Sequence, residues 1–224
     1  MISGTTARFF TERPVARVVL ALVTGAFGAC AHAPFDFAAA ILIPLVAGFV
    51  LLSLTIRVRD ALWTGWALGM GYFGLTLTWI TEPFKVDAAL TGWMAPFALV
   101  LLAALLGAFW AVAVAFARWA GGHPVALVFA WTGAELARAY VFTGFPWASP
   151  PQALVSGLAG QGLAWGGPHG VMLACAAFAA AIATTPALWV RGAIVIGGAA
   201  LILIPPLDGP SRLTDHIIRL VQPN

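Results

Sequence analysis

Long apolar stretches that carry few charges dominate this sequence and constrain its fold more than any other feature. Seven of them occur in the 224 residues, at 15–31, 38–56, 61–80, 93–117, 125–142, 171–185 and 193–204. A membrane-spanning helix needs about 20 mostly apolar residues, so the first five are near that length and the last two are expected to extend past these limits. Only 8% of the residues are charged, whereas roughly a quarter are charged in a soluble domain. The sequence therefore predicts a membrane protein.

Helices are the expected spanning structure, because lipid cannot satisfy exposed backbone groups and the stretches lack the alternating pattern of barrel strands. Proline, glycine and charged residues separate the stretches, as expected at helix ends. We predict an all-α polytopic bundle of about seven transmembrane helices that occupies residues 1–207, followed by a tail at 208–224.

The positive residues predict the orientation of the bundle, because Lys and Arg accumulate on the cytoplasmic side of a membrane. With the amino terminus cytoplasmic, seven arginines lie inside and only Lys85 lies outside; an odd number of spans then places the carboxyl terminus in the periplasm. The seven are Arg8, Arg13, Arg17, Arg57, Arg59, Arg118 and Arg191. A net charge of +3 without a basic patch argues against a nucleic-acid partner.

The first span has an alternative interpretation as a cleaved signal peptide, because arginines precede an apolar stretch that ends in Ala31-His32-Ala33. We favour an uncleaved helix, since removal of the first span would leave six helices and no internal anchor to explain the uneven distribution of positive residues. Many of the ten tryptophans, Trp110 among them, lie near predicted span ends, and interfacial anchoring is the usual explanation.

Glu135 and Arg138 are the two charged residues inside the fifth span, and their i,i+3 spacing places them on one helix face. An unpaired charge near mid-bilayer costs at least ~2.5–3.5 kcal/mol, so we expect the two to pair. The pair either fixes helix packing or faces a cavity and holds a polar headgroup. Phe145 and Trp147 follow on the predicted outer side, where Trp147 either lines an acyl-chain portal or anchors the span.

Catalytic and metal-binding patterns are not found in the sequence. The four histidines fall near predicted turns or in the tail without metal-ligand spacing, and Cys30 and Cys175 lie apart in apolar stretches. A reactive cysteine needs a nearby base or positive group, and Cys175 has only alanines, Leu173 and Met172 around it in the sequence. We therefore assign no catalytic residue, no metal site and no cofactor to this chain.

Several motifs together resemble the amino-terminal membrane half of the apolipoprotein N-acyltransferases, a bacterial enzyme family. The most specific element is Glu-x-x-Arg followed by Thr-Gly-Phe-Pro-Trp. The matching segments are Ala-Pro-Phe-Asp at 33–36, Trp-Ile at 79–80, Glu-Leu-Ala-Arg at 135–138, Thr-Gly-Phe-Pro-Trp at 143–147 and Arg-Leu-Val-Gln-Pro-Asn at 219–224. The segment at 148–152 departs from the family's common Gly-Tyr-Ser-Gln continuation.

The resemblance implies a multi-pass protein of the bacterial inner membrane that takes part in lipoprotein biosynthesis. Such enzymes transfer an acyl chain from a phospholipid donor to the diacylglyceryl-cysteine of an apolipoprotein. The family's Glu-Lys-Cys triad belongs to a periplasmic nitrilase-like domain, of which residues 208–224 resemble only the first strand. We therefore expect a truncated chain that is inactive alone, with Glu135, Arg138, Phe145 and Trp147 as candidate substrate-binding residues.

The sequence is also compatible with two other functions. The first is a small helical carrier or flippase that binds a polar solute between Glu135 and Arg138, because intramembrane ionisable pairs mark transport paths. The sequence lacks the inverted repeats and paired broken helices typical of such carriers. The second is a structural membrane subunit without a site of its own.

Overall fold

The computed structural model describes residues 4–205, and the regular structure in this part of the chain is helical. Each of the seven apolar stretches overlaps one helix of 12 residues or more, and short 3-10 helices lie in four of the eight connections between the described α-helices. The predicted tail at 208–224 lies outside the described residues. The α-helices are α1 (Gly4–Glu12), α2 (Pro14–Gly28), α3 (Leu42–Ser53), α4 (Val58–Thr76), α5 (Ala88–Thr91), α6 (Ala95–Trp119), α7 (Pro124–Tyr140), α8 (Gly162–Thr184) and α9 (Leu188–Leu203).

Four helical segments are long and apolar enough to cross a membrane, namely Pro14–Ala31, Ala88–Trp119, Pro124–Thr143 and Leu158–Thr184. Two shorter apolar segments are Ala38–Ser53 and Leu188–Leu203. The all-helical class is therefore confirmed, and the last two predicted spans do extend past their expected starts. The total of about seven spans, and the side of the membrane that each end faces, stay predictions.

Small residues bring α2, α4 and α6 into close contact in the centre of the bundle. A Cβ atom on Gly25 would lie 2.0 Å from the Leu68 carbonyl oxygen, and one on Gly71 would lie 2.0 Å from the Leu22 carbonyl oxygen. On the other face of α4, a Cβ on Gly69 would lie 2.8 Å from the backbone of α6. Small residues at helix interfaces allow this approach in membrane proteins, where packing rather than water exclusion drives association.

Turns and helix ends close to the predicted cytoplasmic arginines lie together at one end of the bundle, which we call the arginine end. A single cavity there is lined by residues from α1, the end of α3, the α6–α7 turn and the end of α8. Arg17 is only 2% exposed and donates to the Leu54 carbonyl at 3.2 Å, and Arg118 donates to the adjacent Thr55 carbonyl at 2.9 Å. Two arginines from different helices therefore hold the α3–α4 turn.

The opposite end of the bundle, which we call the loop end, is built from the loops at 29–41 and 141–161. Helix α7 begins at Pro124 in the arginine end and runs to Tyr140 in the loop end. The loop at 141–161 folds into short 3-10 turns, Val141–Thr143, Pro150–Leu154 and Leu158–Gln161. This arrangement brings the last turns of α7 beneath the loop that carries Phe145 and Trp147.

Candidate functional site

Glu135 and Arg138 form a buried ion pair on the inward face of α7, as their spacing predicts. Both residues are 1% exposed, the Arg138 Nη2 atom lies 2.6 Å from Glu135 Oε2, and Nε lies 3.2 Å from Oε1. Two parallel hydrogen bonds of this kind orient a guanidinium against a carboxylate. We call this pair and its hydrogen-bond partners the clasp.

The carboxylate of Glu135 is saturated by four donors. Besides the two from Arg138, the indole Nε1 of Trp110 donates to Oε1 at 2.8 Å and the hydroxyl of Ser149 donates to Oε2 at 3.2 Å. Each oxygen therefore accepts two hydrogen bonds, which is what a buried carboxylate requires to offset its lost hydration. This geometry favours a fixed internal role over binding of a transported solute.

The guanidinium of Arg138 holds the backbone of the following loop. Its Nη1 atom donates to the carbonyls of Phe145 and Trp147, the latter at 2.9 Å. The phenyl ring of Phe73 lies below the guanidinium at 5.1 Å, a distance at which an aromatic face attracts a cation. One charged side chain thus holds the backbone of the loop at Phe145 and at Trp147.

The loop between α7 and Ser149 contains several residues with positive φ. Phe142 has φ 54°, Thr143 has φ 76° and Ala148 has φ 58°, values that residues with a Cβ rarely adopt. The Phe145 N–H donates to the Arg138 carbonyl at 2.9 Å and so closes the turn back onto α7. Such a backbone persists only where its surroundings hold it, and here the clasp does so.

The two aromatic side chains differ in exposure. Trp147 is 53% exposed, whereas Phe145 is partly buried, and their ring centroids lie 5.1 Å apart in an edge-to-face arrangement. The charged groups of Glu135 and Arg138 therefore point into the bundle, whereas the indole of Trp147 points out of it. An exposed indole at the end of an apolar helix suits the region where lipid meets water.

A cavity of about 260 Å³ lies beside the clasp. Its wall includes Glu135 and Arg138 on one side and Tyr140, Gln152 and His169 on others. A cavity thus lies beside the pair, as the second interpretation of the pair requires, although the charged atoms are already engaged by the protein.

Trp110, Tyr72 and Ser149 complete the site, and the sequence prediction missed all three. Trp110 is fully buried and binds Glu135, so its interpretation as an interfacial anchor is wrong. The Tyr72 ring stacks on Trp110 at 5.0 Å with 20° between the planes. Tyr72 is one of only two tyrosines in the sequence, a signal that deserved weight because a buried phenol needs a hydrogen-bond partner.

His32, in the loop after α2, contacts the Tyr72 hydroxyl. Burial lowers the pKa of His32 below 6.5, and the Asp36 carboxylate opposes this shift. Within residues 4–205, no three His, Cys, Asp or Glu side chains come together to hold a metal ion. Cys30 and Cys175 are free thiols.

Comparison with known proteins places this arrangement in a family. Residues 24–181 match the family model described as the apolipoprotein N-acyltransferase N-terminal domain. A protein of Caulobacter vibrioides named apolipoprotein N-acyltransferase is 38% identical over 195 residues, which cover 82% of this chain and 35% of that protein. Proteins of the same name from Rhizobium rhizogenes and Brucella suis biovar 1 are 36% and 34% identical; each alignment covers 58% of this chain and 27% of the relative.

The chain thus spans about a third of the length of the curated relatives it matches. The matched region contains α3 to α7, the clasp and the loop with Phe145 and Trp147. The chain belongs to the apolipoprotein N-acyltransferase N-terminal domain family.

Proposed function

We propose that this chain is the lipid-handling membrane part of a bacterial inner-membrane acyltransferase of lipoprotein biosynthesis. Its donor is a phospholipid, and its acceptor is the amino-terminal diacylglyceryl-cysteine of an apolipoprotein. In this proposal the membrane part binds and presents lipids, and acyl transfer needs catalytic residues outside these 224 residues. The amino terminus lies in the cytoplasm, and the loop end faces the periplasm.

The observation that carries the proposal is the clasp, which couples a saturated internal ion pair to an exposed indole. Arg138 binds the carbonyls on both sides of Pro146, so Phe145 and Trp147 are held at the end of the bundle. Burial of an acyl chain is worth about 0.8 kcal/mol per methylene, so an aromatic surface at this position can hold a chain at the interface.

The four candidate residues take two different roles in this proposal. Glu135 and Arg138 support the loop and do not touch the lipid, because their polar atoms are already bound within the protein. Phe145 and Trp147 contact the acyl chain. The charged pair thus acts on substrate through the position of the aromatic rings.

Photo-crosslinking tests the lipid contact directly. The chain is reconstituted in nanodiscs that contain phospholipid with a diazirine on its acyl chain, and labelled peptides are mapped by mass spectrometry. We expect labelling at 145–149 that Trp147→Ala removes. Trp119→Ala is the matched control, because Trp119 is 71% exposed at the arginine end, and it should leave labelling at 145–149 intact. Labelling that is independent of Trp147 would contradict the proposed contact.

Acyl transfer tests the division between membrane part and catalysis. A chimera joins residues 1–224 to the remaining part of the Caulobacter relative and is assayed with a diacylated lipopeptide and labelled phospholipid. We expect the chimera to transfer the label and the chain alone not to do so. Transfer by the purified chain alone would overturn the proposed inactivity, and a folded but inactive chimera would count against the proposed role.

A further inference from the structure

One phenol joins the two loops of the loop end. The hydroxyl of Tyr72 donates to the Ala148 carbonyl at 3.1 Å, and the same oxygen lies 2.6 Å from His32 Nε2. Tyr72 is fully buried in α4, far in sequence from either contact. The loop at 29–41 is thereby connected to the residue that follows Trp147.

Counting protons determines the direction of both hydrogen bonds. A phenol has one proton to donate, and a carbonyl oxygen can only accept. The Tyr72 proton therefore goes to Ala148, so His32 Nε2 must carry a proton and donate it to the phenol oxygen. A neutral His32 protonated on Nδ1 instead would leave either the Ala148 carbonyl or its own Nε2 without a donor.

The residue held by this connection needs support. Ala148 has φ 58° although it carries a Cβ, and its surroundings must maintain that conformation. Arg138 binds the preceding carbonyl, that of Trp147, and Tyr72 binds the carbonyl of Ala148 itself. The two contacts are complementary, since one approaches from α7 and the other from α4.

We propose that His32, acting through Tyr72, is a positioning residue that sets the conformation of the Trp147 loop. The proposal rests on the proposed function for its consequence in lipid binding, although the positioning itself is independent of it. His32 does not touch the lipid. It keeps the phenol oriented so that its proton reaches Ala148, and the stacked Trp110 ring fixes the plane of the phenol.

The test compares two amide substitutions that differ in reach. The amide nitrogen of His32→Gln falls near the position of Nε2 and can donate, whereas that of His32→Asn falls near Nδ1 and is too short. Each variant is labelled with 5-fluorotryptophan and studied by 19F NMR in lipid nanodiscs, and Trp147→Phe assigns the Trp147 resonance. Tyr72→Phe removes both hydrogen bonds.

We expect His32→Asn and Tyr72→Phe to move the Trp147 resonance and His32→Gln to keep it at the wild-type position. Loss of one hydrogen bond should change the ratio of ordered to displaced loop about two- to tenfold. The resonance of Trp119 at the arginine end should stay unchanged in all variants, which reports an intact fold. Should Tyr72→Phe fail to fold, the Gln and Asn variants of His32 decide the outcome.

A Trp147 resonance that is unchanged in His32→Asn, or displaced equally in His32→Gln, would overturn the proposal. Crosslinking to acyl-chain diazirine separates this result from the proposed function. Wild-type chain without label at 145–149 but with the expected NMR pattern would support the positioning role and contradict the lipid contact.

Discussion

Removal of Glu135 or Arg138 should destabilise the chain far more than removal of Glu82 or Lys85, which form an ion pair with the same spacing at the surface. Glu135→Ala leaves the Arg138 guanidinium buried with two backbone carbonyls and no counter-charge. Arg138→Ala leaves a buried carboxylate, which can take up a proton, whereas a guanidinium stays charged. We therefore expect Glu135→Ala to be at least as destabilising as Arg138→Ala.

The size of the expected loss of unfolding free energy follows from the burial of Glu135 and Arg138. Breaking a buried ion pair by removing one partner costs about 3–5 kcal/mol, and both residues here are 1% exposed. If the two residues acted independently, the double variant would lose the sum of the two single losses, about 6–10 kcal/mol of unfolding free energy. The double variant Glu135→Ala/Arg138→Ala leaves no uncompensated charge. We therefore expect it to lose no more unfolding free energy than the more destabilising single variant, so the coupling energy of the pair should be at least about 3 kcal/mol.

A double-mutant cycle measured by SDS titration in detergent micelles tests this expectation. Glu82 and Lys85 supply the control, because they have the same i,i+3 spacing and a distance of 2.5 Å but are each 63% exposed. Their coupling should not exceed about 1 kcal/mol, since solvent screens an exposed pair. If the clasp variants were additive, or coupled as weakly as the control, the reasoning from burial would be refuted.

Three further predictions concern packing, the arginine end and pH. Gly25→Ala should destabilise the chain, because its Cβ atom would lie 2.0 Å from a backbone oxygen of α4. Gly133→Ala should stabilise the chain by about 0.5–1 kcal/mol, because no atom lies within 4 Å of the added Cβ. Equal losses of stability in SDS titration would contradict this prediction. Arg17→Met should increase hydrogen exchange at 54–57, since Arg17 binds the α3–α4 turn; unchanged protection would argue against that role. Stability should fall as pH drops below about 6.5, because burial lowers the pKa of His32 and the unfolded chain then binds more protons than the folded one. His32→Gln should flatten this part of the stability–pH profile, and an unaltered slope would assign it to another group.

The helices themselves were predictable because their signals are local. Apolar stretches separated by proline and glycine marked where the seven helices of 12 residues or more lie, whereas α1 and the four-residue α5 were not predicted. The i,i+3 spacing of Glu135 and Arg138 predicted their pairing, which the structure confirms at 2.6 Å. These features depend on residues within a few turns of one another, so no knowledge of distant contacts was needed.

The parts that Trp110 and Tyr72 play in the site were not predictable, because these residues come from elements distant in the chain. Trp110 lies 25 residues before Glu135, and the phenol of Tyr72 lies 76 residues before the carbonyl it binds. Nothing in the local pattern distinguishes a tryptophan that anchors a span from one that donates to a buried carboxylate. Composition and periodicity by themselves determined that the chain forms apolar helices and that Glu135 pairs with Arg138. Only the tertiary structure decided that this pair holds a loop, because helix packing alone brings the α4 and α6 side chains to the end of α7.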